Sequence, residues 1–131
     1  MPPLRTACPP GSCICERDEL LSKPDGDTRV LLLTRQEEKR LLQRLESLAS
    51  LADLRHMQAL IHKQLGVVVE VEAGPNEVRT VMGLHIEVQA RAGLCRKVRA
   101  SIPAAIRRGL AANEQIVYEL LDENSLFGTG A

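Results

Sequence analysis

Apolar positions along the chain follow two different periods. Between residues 34 and 66 they recur at helical spacing, first Leu41, Leu42, Leu45, Leu48 and Ala49, then Leu54, Met57, Ile61 and Leu65. Residues three and four apart share one face of a helix, so each set forms a stripe that can be buried. Each stripe follows a start signal. Thr34-Arg35-Gln36-Glu37 is a capping box, with a hydroxyl at the N-cap and a carboxylate three residues on. Ser50-Leu51-Ala52-Asp53 repeats the form, and Gly66 supplies a C-terminal stop. The pattern predicts two helices, over 35–48 and 51–65, joined as a tight hairpin. With no Gly or Pro between them, one long helix is the alternative.

Beyond Gly66 the period shortens to two. Val67 to Ala73 is β-branched, with Glu70 and Glu72 on one side, and Gly74-Pro75-Asn76-Glu77 reads as a turn. In Val78 to Ala90, residues Leu84, Ile86, Val88 and Ala90 share one face, while His85, Glu87, Gln89 and Arg91 share the other. After the Ala92-Gly93 turn, Leu94, Val98, Ala100 and Ile102 continue the apolar face, with Cys95, Lys97, Arg99 and Ser101 on the polar one. This alternation predicts a three-stranded antiparallel meander with one wet, basic face. Pro103 stands where a helix would begin, since its missing N–H costs nothing at the first helical position. Residues 104–112 then read as helical. Residues 116–121 fit either a last helix capped by Asn113 or a last strand. The expected fold is therefore α+β. Residues 1–27 form a Cys-rich irregular arm, 28–124 a single domain, and 125–131 a flexible tail.

Composition narrows the functions available. Among 131 residues there is one Phe, one Tyr and no Trp. The core must be aliphatic, and the stacking platforms of single-strand nucleic-acid binders are missing. No apolar run is long enough to span a bilayer. The start, Met1-Pro2-Pro3-Leu4-Arg5, lacks the basic-then-apolar order of a secretory signal. A cytoplasmic protein is expected, with its four cysteines present as thiols or metal ligands rather than disulfides. Net charge is zero, but it is segregated: Glu70, Glu72 and Glu77 give residues 67–77 a charge of −3. Residues 78–112 hold Arg79, Arg91, Arg96, Lys97, Arg99, Arg107 and Arg108 against Glu87, a local +6. Such a patch attracts polyanions unless acidic neighbours neutralise it.

The cysteines carry the strongest chemical signal. Cys8, Cys13 and Cys15 fall within eight residues, in an arm with no core to fill. Pro9-Pro10-Gly11-Ser12 can fold back and set Cys8 beside Cys13. Clustered soft thiolates suit zinc, copper(I) or an iron–sulfur cluster. The spacing matches no standard zinc or ferredoxin pattern, so metal identity stays open. A closed site needs a fourth ligand, for which Cys95 on the third predicted strand is the first candidate, with His85 or a histidine of the second helix, His56 or His62, behind it. His56 and His62 lie about 240° apart on one helix and cannot chelate together. The chain contains no nucleophile elbow, phosphate-binding glycine loop or paired histidine–carboxylate motif.

The stretch Val98-Arg99-Ala100-Ser101-Ile102-Pro103-Ala104-Ala105-Ile106-Arg107-Arg108-Gly109-Leu110 resembles the AbrB-type swapped-hairpin DNA-binding domain. That family ends a strand in Arg-x-x-Ile-Pro and follows it with a short helix carrying an aliphatic residue, Arg and Leu, and then a final apolar strand. The resemblance covers residues 98–121. It implies a DNA-binding homodimer in which Arg99, Arg107 and Arg108 meet phosphates or a groove, with Arg91, Arg96 and Lys97 alongside. Two functions are thus expected from sequence. The first is a non-catalytic accessory or regulatory protein with a protein partner and a cysteine-ligated metal. The alternative is an AbrB-like DNA-binding regulator.

Overall fold

The computed structural model describes residues 17–73 and 84–123. The elements are α1 (Arg17–Ser22), a 3-10 helix (Arg29–Leu32), α2 (Arg35–Leu45), α3 (Leu51–Leu65), β1 (Val69–Ala73), β2 (Leu84–Val88), α4 (Arg96–Ala112) and α5 (Gln115–Glu123).

Both predicted caps form. Thr34 Oγ1 accepts from the Glu37 N–H at 3.3 Å and starts α2. Ser50 Oγ accepts from the Asp53 N–H at 3.0 Å and starts α3. Gly66 ends α3 in the left-handed region at φ 69°, a conformation that costs glycine nothing. The hairpin between α2 and α3 is held by Asp53. Its carboxylate accepts from Arg44 Nη1 at 3.0 Å and from the Ala49 N–H at 2.9 Å.

β1 and β2 form a two-stranded antiparallel sheet with Glu70 opposite Glu87, Val71 opposite Ile86 and Glu72 opposite His85. Along β2 the residues alternate strictly between buried and exposed. The sheet's apolar face joins one aliphatic core with Leu45, Leu54, Ile102, Ile106, Leu110 and Leu120, all essentially inaccessible. Leu20 of α1 is buried in the same core.

The three-stranded meander expected from sequence is overturned. The third predicted strand is the beginning of α4, so the sheet has two strands among the described residues. The buried residues Val98, Ile102, Ala105, Ile106, Gly109 and Leu110 recur every three or four positions, one continuous helical face. Ala100, expected on the apolar face, is exposed, and Cys95, expected on the wet face, is buried. Pro103 lies inside α4 rather than at its start. An interior proline removes one helix hydrogen bond and crowds the carbonyl four residues back; here the ring is buried in the core, and that packing offsets the loss. The 116–121 ambiguity resolves as helix, with Ile116, Val117 and Leu120 buried on one face of α5.

The packing of α2 against α4 depends on Gly109. A Cβ built there would stand 2.2 Å from the Leu45 carbonyl oxygen, so only a residue without a side chain permits this approach. Glu38, buried to 8% exposure, lies in the same contact and accepts from Ser101 Oγ at 3.4 Å.

Candidate metal centre

Of the four cysteines read as ligands, Cys8, Cys13 and Cys15 lie outside the described residues. Cys95 stands at the N-cap of α4 and is 4% exposed within the aliphatic core. It is thus a core residue, not one on the wet face of a strand.

Three of the six basic residues expected to form one anion-binding surface, Arg91, Arg99 and Arg108, are engaged within the fold. Arg91 donates to the Gly66 carbonyl at 2.7 Å and the Asp27 carbonyl at 2.8 Å, and lies 3.5 Å from the Asp27 carboxylate. Arg29 donates to the same carboxylate at 2.7 Å and to the Lys63 carbonyl at 2.8 Å. Together these two guanidiniums cover the carbonyl end of α3, where positive charge is stabilised by the helix dipole. Hydrogen bonding from Arg29 is the main cause of an Asp27 pKa far below the ordinary carboxylate value. Arg99 Nε donates to the Val88 carbonyl at 3.3 Å, and Arg108 pairs with Glu46 at 2.6 Å. Arg96 and Lys97 are exposed on the first turn of α4, and Arg107 is half-buried. The strand that the swapped-hairpin resemblance implies up to Ile102 is helix in this structure.

The titratable groups that the fold does gather lie elsewhere, on the exposed face of the sheet. The pairing of β1 with β2 sets Glu70 directly opposite Glu87, and Glu72 opposite His85. His85 Nε2 lies 3.1 Å from Glu87 Oε2 and 4.0 Å from Glu70 Oε2. One ligand atom each from Glu70, His85 and Glu87 falls within a sphere where all lie within 4.8 Å of one another. Gln89 Nε2 donates to the other oxygen of Glu70, Oε1, at 2.7 Å. That bond fixes the carboxylate and leaves Oε2 turned toward the histidine, the kind of outer contact that orients a metal ligand. His85 and Glu87 are each about half exposed and Glu70 somewhat less.

Sequence reading placed Glu70 with Glu72, and His85 with Glu87, on the polar sides of two strands. It did not bring the two pairs together, because the register across residues 74–83 decides which residues meet.

A second feature is a groove of roughly 620 Å³ between the 3-10 helix, α2 and α3, lined by Leu33, Leu41, Met57, Leu60 and Ile61. Its polar rim is occupied internally: Thr34 caps α2, Arg40 pairs with Glu37 at 3.1 Å, and Arg44 pairs with Asp53. Among the described residues it brings no nucleophile against a base.

No protein-family model, curated protein or solved structure matches the chain. No helix among the described residues is long and apolar enough to cross a membrane.

Proposed function

We propose that this protein is a non-catalytic accessory protein that binds a divalent transition metal through Glu70, His85 and Glu87. The observation that carries the reading is the direct opposition of Glu70 and Glu87 across the strand pair, with His85 Nε2 beside both. Like charges directly opposite in a sheet are destabilising. With Glu72 beside them, the face holds three carboxylates and a single imidazole, a charge excess that a bound cation neutralises. One imidazole nitrogen with carboxylate oxygens suits zinc and its first-row neighbours better than calcium or copper(I). Among the described residues this sheet face is half exposed rather than concave, which favours binding over catalysis, since active sites are concave and exclude water.

Zinc titration of the full chain by calorimetry, under reducing conditions, tests this. We expect His85→Ala and Glu87→Gln each to abolish one bound equivalent. Replacing Cys8, Cys13 and Cys15 together by Ser should leave that equivalent in place. Loss of the only bound equivalent in the triple cysteine variant, with His85→Ala unaffected, refutes the sheet site and assigns the metal to the arm cysteines. Because imidazole binds metal only when neutral, the sheet-bound equivalent should weaken as pH falls.

A further inference from the structure

We infer that Glu72 is the fourth ligand of the sheet site, so that Glu70, Glu72, His85 and Glu87 together close around a zinc ion and leave no coordination position for a ligand from solution. The inference rests on the metal-binding reading of Glu70, His85 and Glu87, and it specifies what kind of site that is.

The strand register carries the argument. The Gln89 N–H bonds to the Val68 carbonyl at 3.0 Å. Hydrogen-bonded pairs alternate with non-bonded ones along an antiparallel ladder. Glu70 opposite Glu87 and Glu72 opposite His85 are thus both hydrogen-bonded pairs, whose Cα atoms lie about 5.5 Å apart. Side chains 70, 72, 85 and 87 stand on one face, because strand residues alternate, and Val69, Val71, Leu84, Ile86 and Val88 are buried on the other. His85 therefore meets a carboxylate from each direction. Glu72 is directly across the ladder, Glu70 is on the diagonal, and Glu87 is two residues along the same strand.

Three of these four groups already converge, with one donor atom each within 4.8 Å of the others. Gln89 holds one oxygen of Glu70 at 2.7 Å and leaves the second for the site. Glu72 is exposed, and the ladder fixes its backbone opposite the imidazole. It joins the set by turning its own side-chain bonds, with no movement of either strand.

Charge favours the closed set. Glu70, Glu72 and Glu87 bring three negative charges to one face, where like charges repel. A zinc ion ligated by all three carboxylates and a neutral imidazole relieves two of those charges at the point where they crowd. Zinc sites with four protein donors are structural, whereas catalytic sites keep a position open. Closure by Glu72 thus gives the non-catalytic reading a chemical basis, since a fully ligated ion has no position at which to activate water or a substrate.

The test uses the full chain with Cys8, Cys13 and Cys15 replaced by Ser, so that arm thiolates do not compete for metal. Zinc affinity is measured by calorimetry. Cobalt(II), which replaces zinc and absorbs visible light, reports the coordination sphere with and without imidazole, a neutral ligand that the carboxylates do not repel. Glu72→Gln should weaken zinc by about tenfold or more, and its cobalt spectrum should change when imidazole is added. The spectrum of the chain that keeps Glu72 should not change. Glu72→His loses the same charge as Glu72→Gln but keeps a donor, and it should recover most of the lost affinity. A chain with Glu72 whose cobalt spectrum responds to imidazole overturns the closed site and leaves the metal reading standing. So does a zinc affinity that is unchanged in Glu72→Gln, or that falls equally in Glu72→Gln and Glu72→His, which would make Glu72 only a neighbouring charge. Zinc affinity that is unchanged by His85→Ala in the same background overturns both readings.

Discussion

At the scale of single residues, side chains of the same type serve unrelated ends, and sequence alone does not separate them. Seven basic residues between 78 and 112 suggest a surface for a polyanion. Arg91, however, spends its guanidinium on two carbonyls and a carboxylate, Arg99 on a strand carbonyl, and Arg108 on Glu46. Glu70 and His85 were each legible as exposed polar positions, but their meeting depends on a strand register that no local pattern encodes. Gly109 is a further case, because in sequence it is one small residue inside a helical stretch. In the structure it is the contact point of α2 and α4, with the Leu45 carbonyl where a Cβ would sit. Gly109→Ala would gain about 1 kcal/mol of helix propensity. It would lose more by forcing two backbones apart, because overpacking costs about 1–3 kcal/mol and here the obstacle is not a flexible side chain. We expect net destabilisation, read as a lower urea midpoint with an unchanged slope.

At the scale of elements, α3 spans the expected 51–65, whereas α2 starts at its expected cap but ends at Leu45 rather than at residue 48. Thr34 fixes the start of α2, and Ser50 and Gly66 fix both ends of α3, through local chemistry that operates wherever the chain goes. The start of α4 was misread for an equally local reason. Leu94, Val98, Ala100 and Ile102 fit a period of two, while Val98, Ile102, Ala105 and Ile106 fit a helix, and by its sequence Pro103 marks the border. The burial of Cys95 and exposure of Ala100 show that tertiary packing chose the second period. The α2–α3 hairpin also carries a pH dependence. Hydrogen bonding from Arg44, and then from the Ala49 N–H, holds the Asp53 pKa below its ordinary 3.8. A carboxylate depressed in the folded state stabilises at pH above its unfolded value, and that contribution drains away as pH falls through the folded value. Asp53→Asn should therefore be less stable than the parent at pH 7. The gap should narrow below about pH 4, as measured by denaturant unfolding at pH 7, 5 and 3.

At the scale of the whole molecule, an aliphatic core joins the helices to the apolar side of a small sheet and leaves the polar side to the solvent. A ligand that binds only the folded chain adds its binding energy to stability. Zinc held at 100 times its dissociation constant should contribute about 2.7 kcal/mol, seen as a higher melting temperature that chelator reverses. His85→Ala should remove that response while the helical signal persists, since residue 85 points away from the core. Gln58 and Arg55 already occupy the outward carbonyls of β1, so strand addition there would first have to displace them. The same two contacts that tie α3 to the sheet thus guard that edge against pairing with a strand of another molecule.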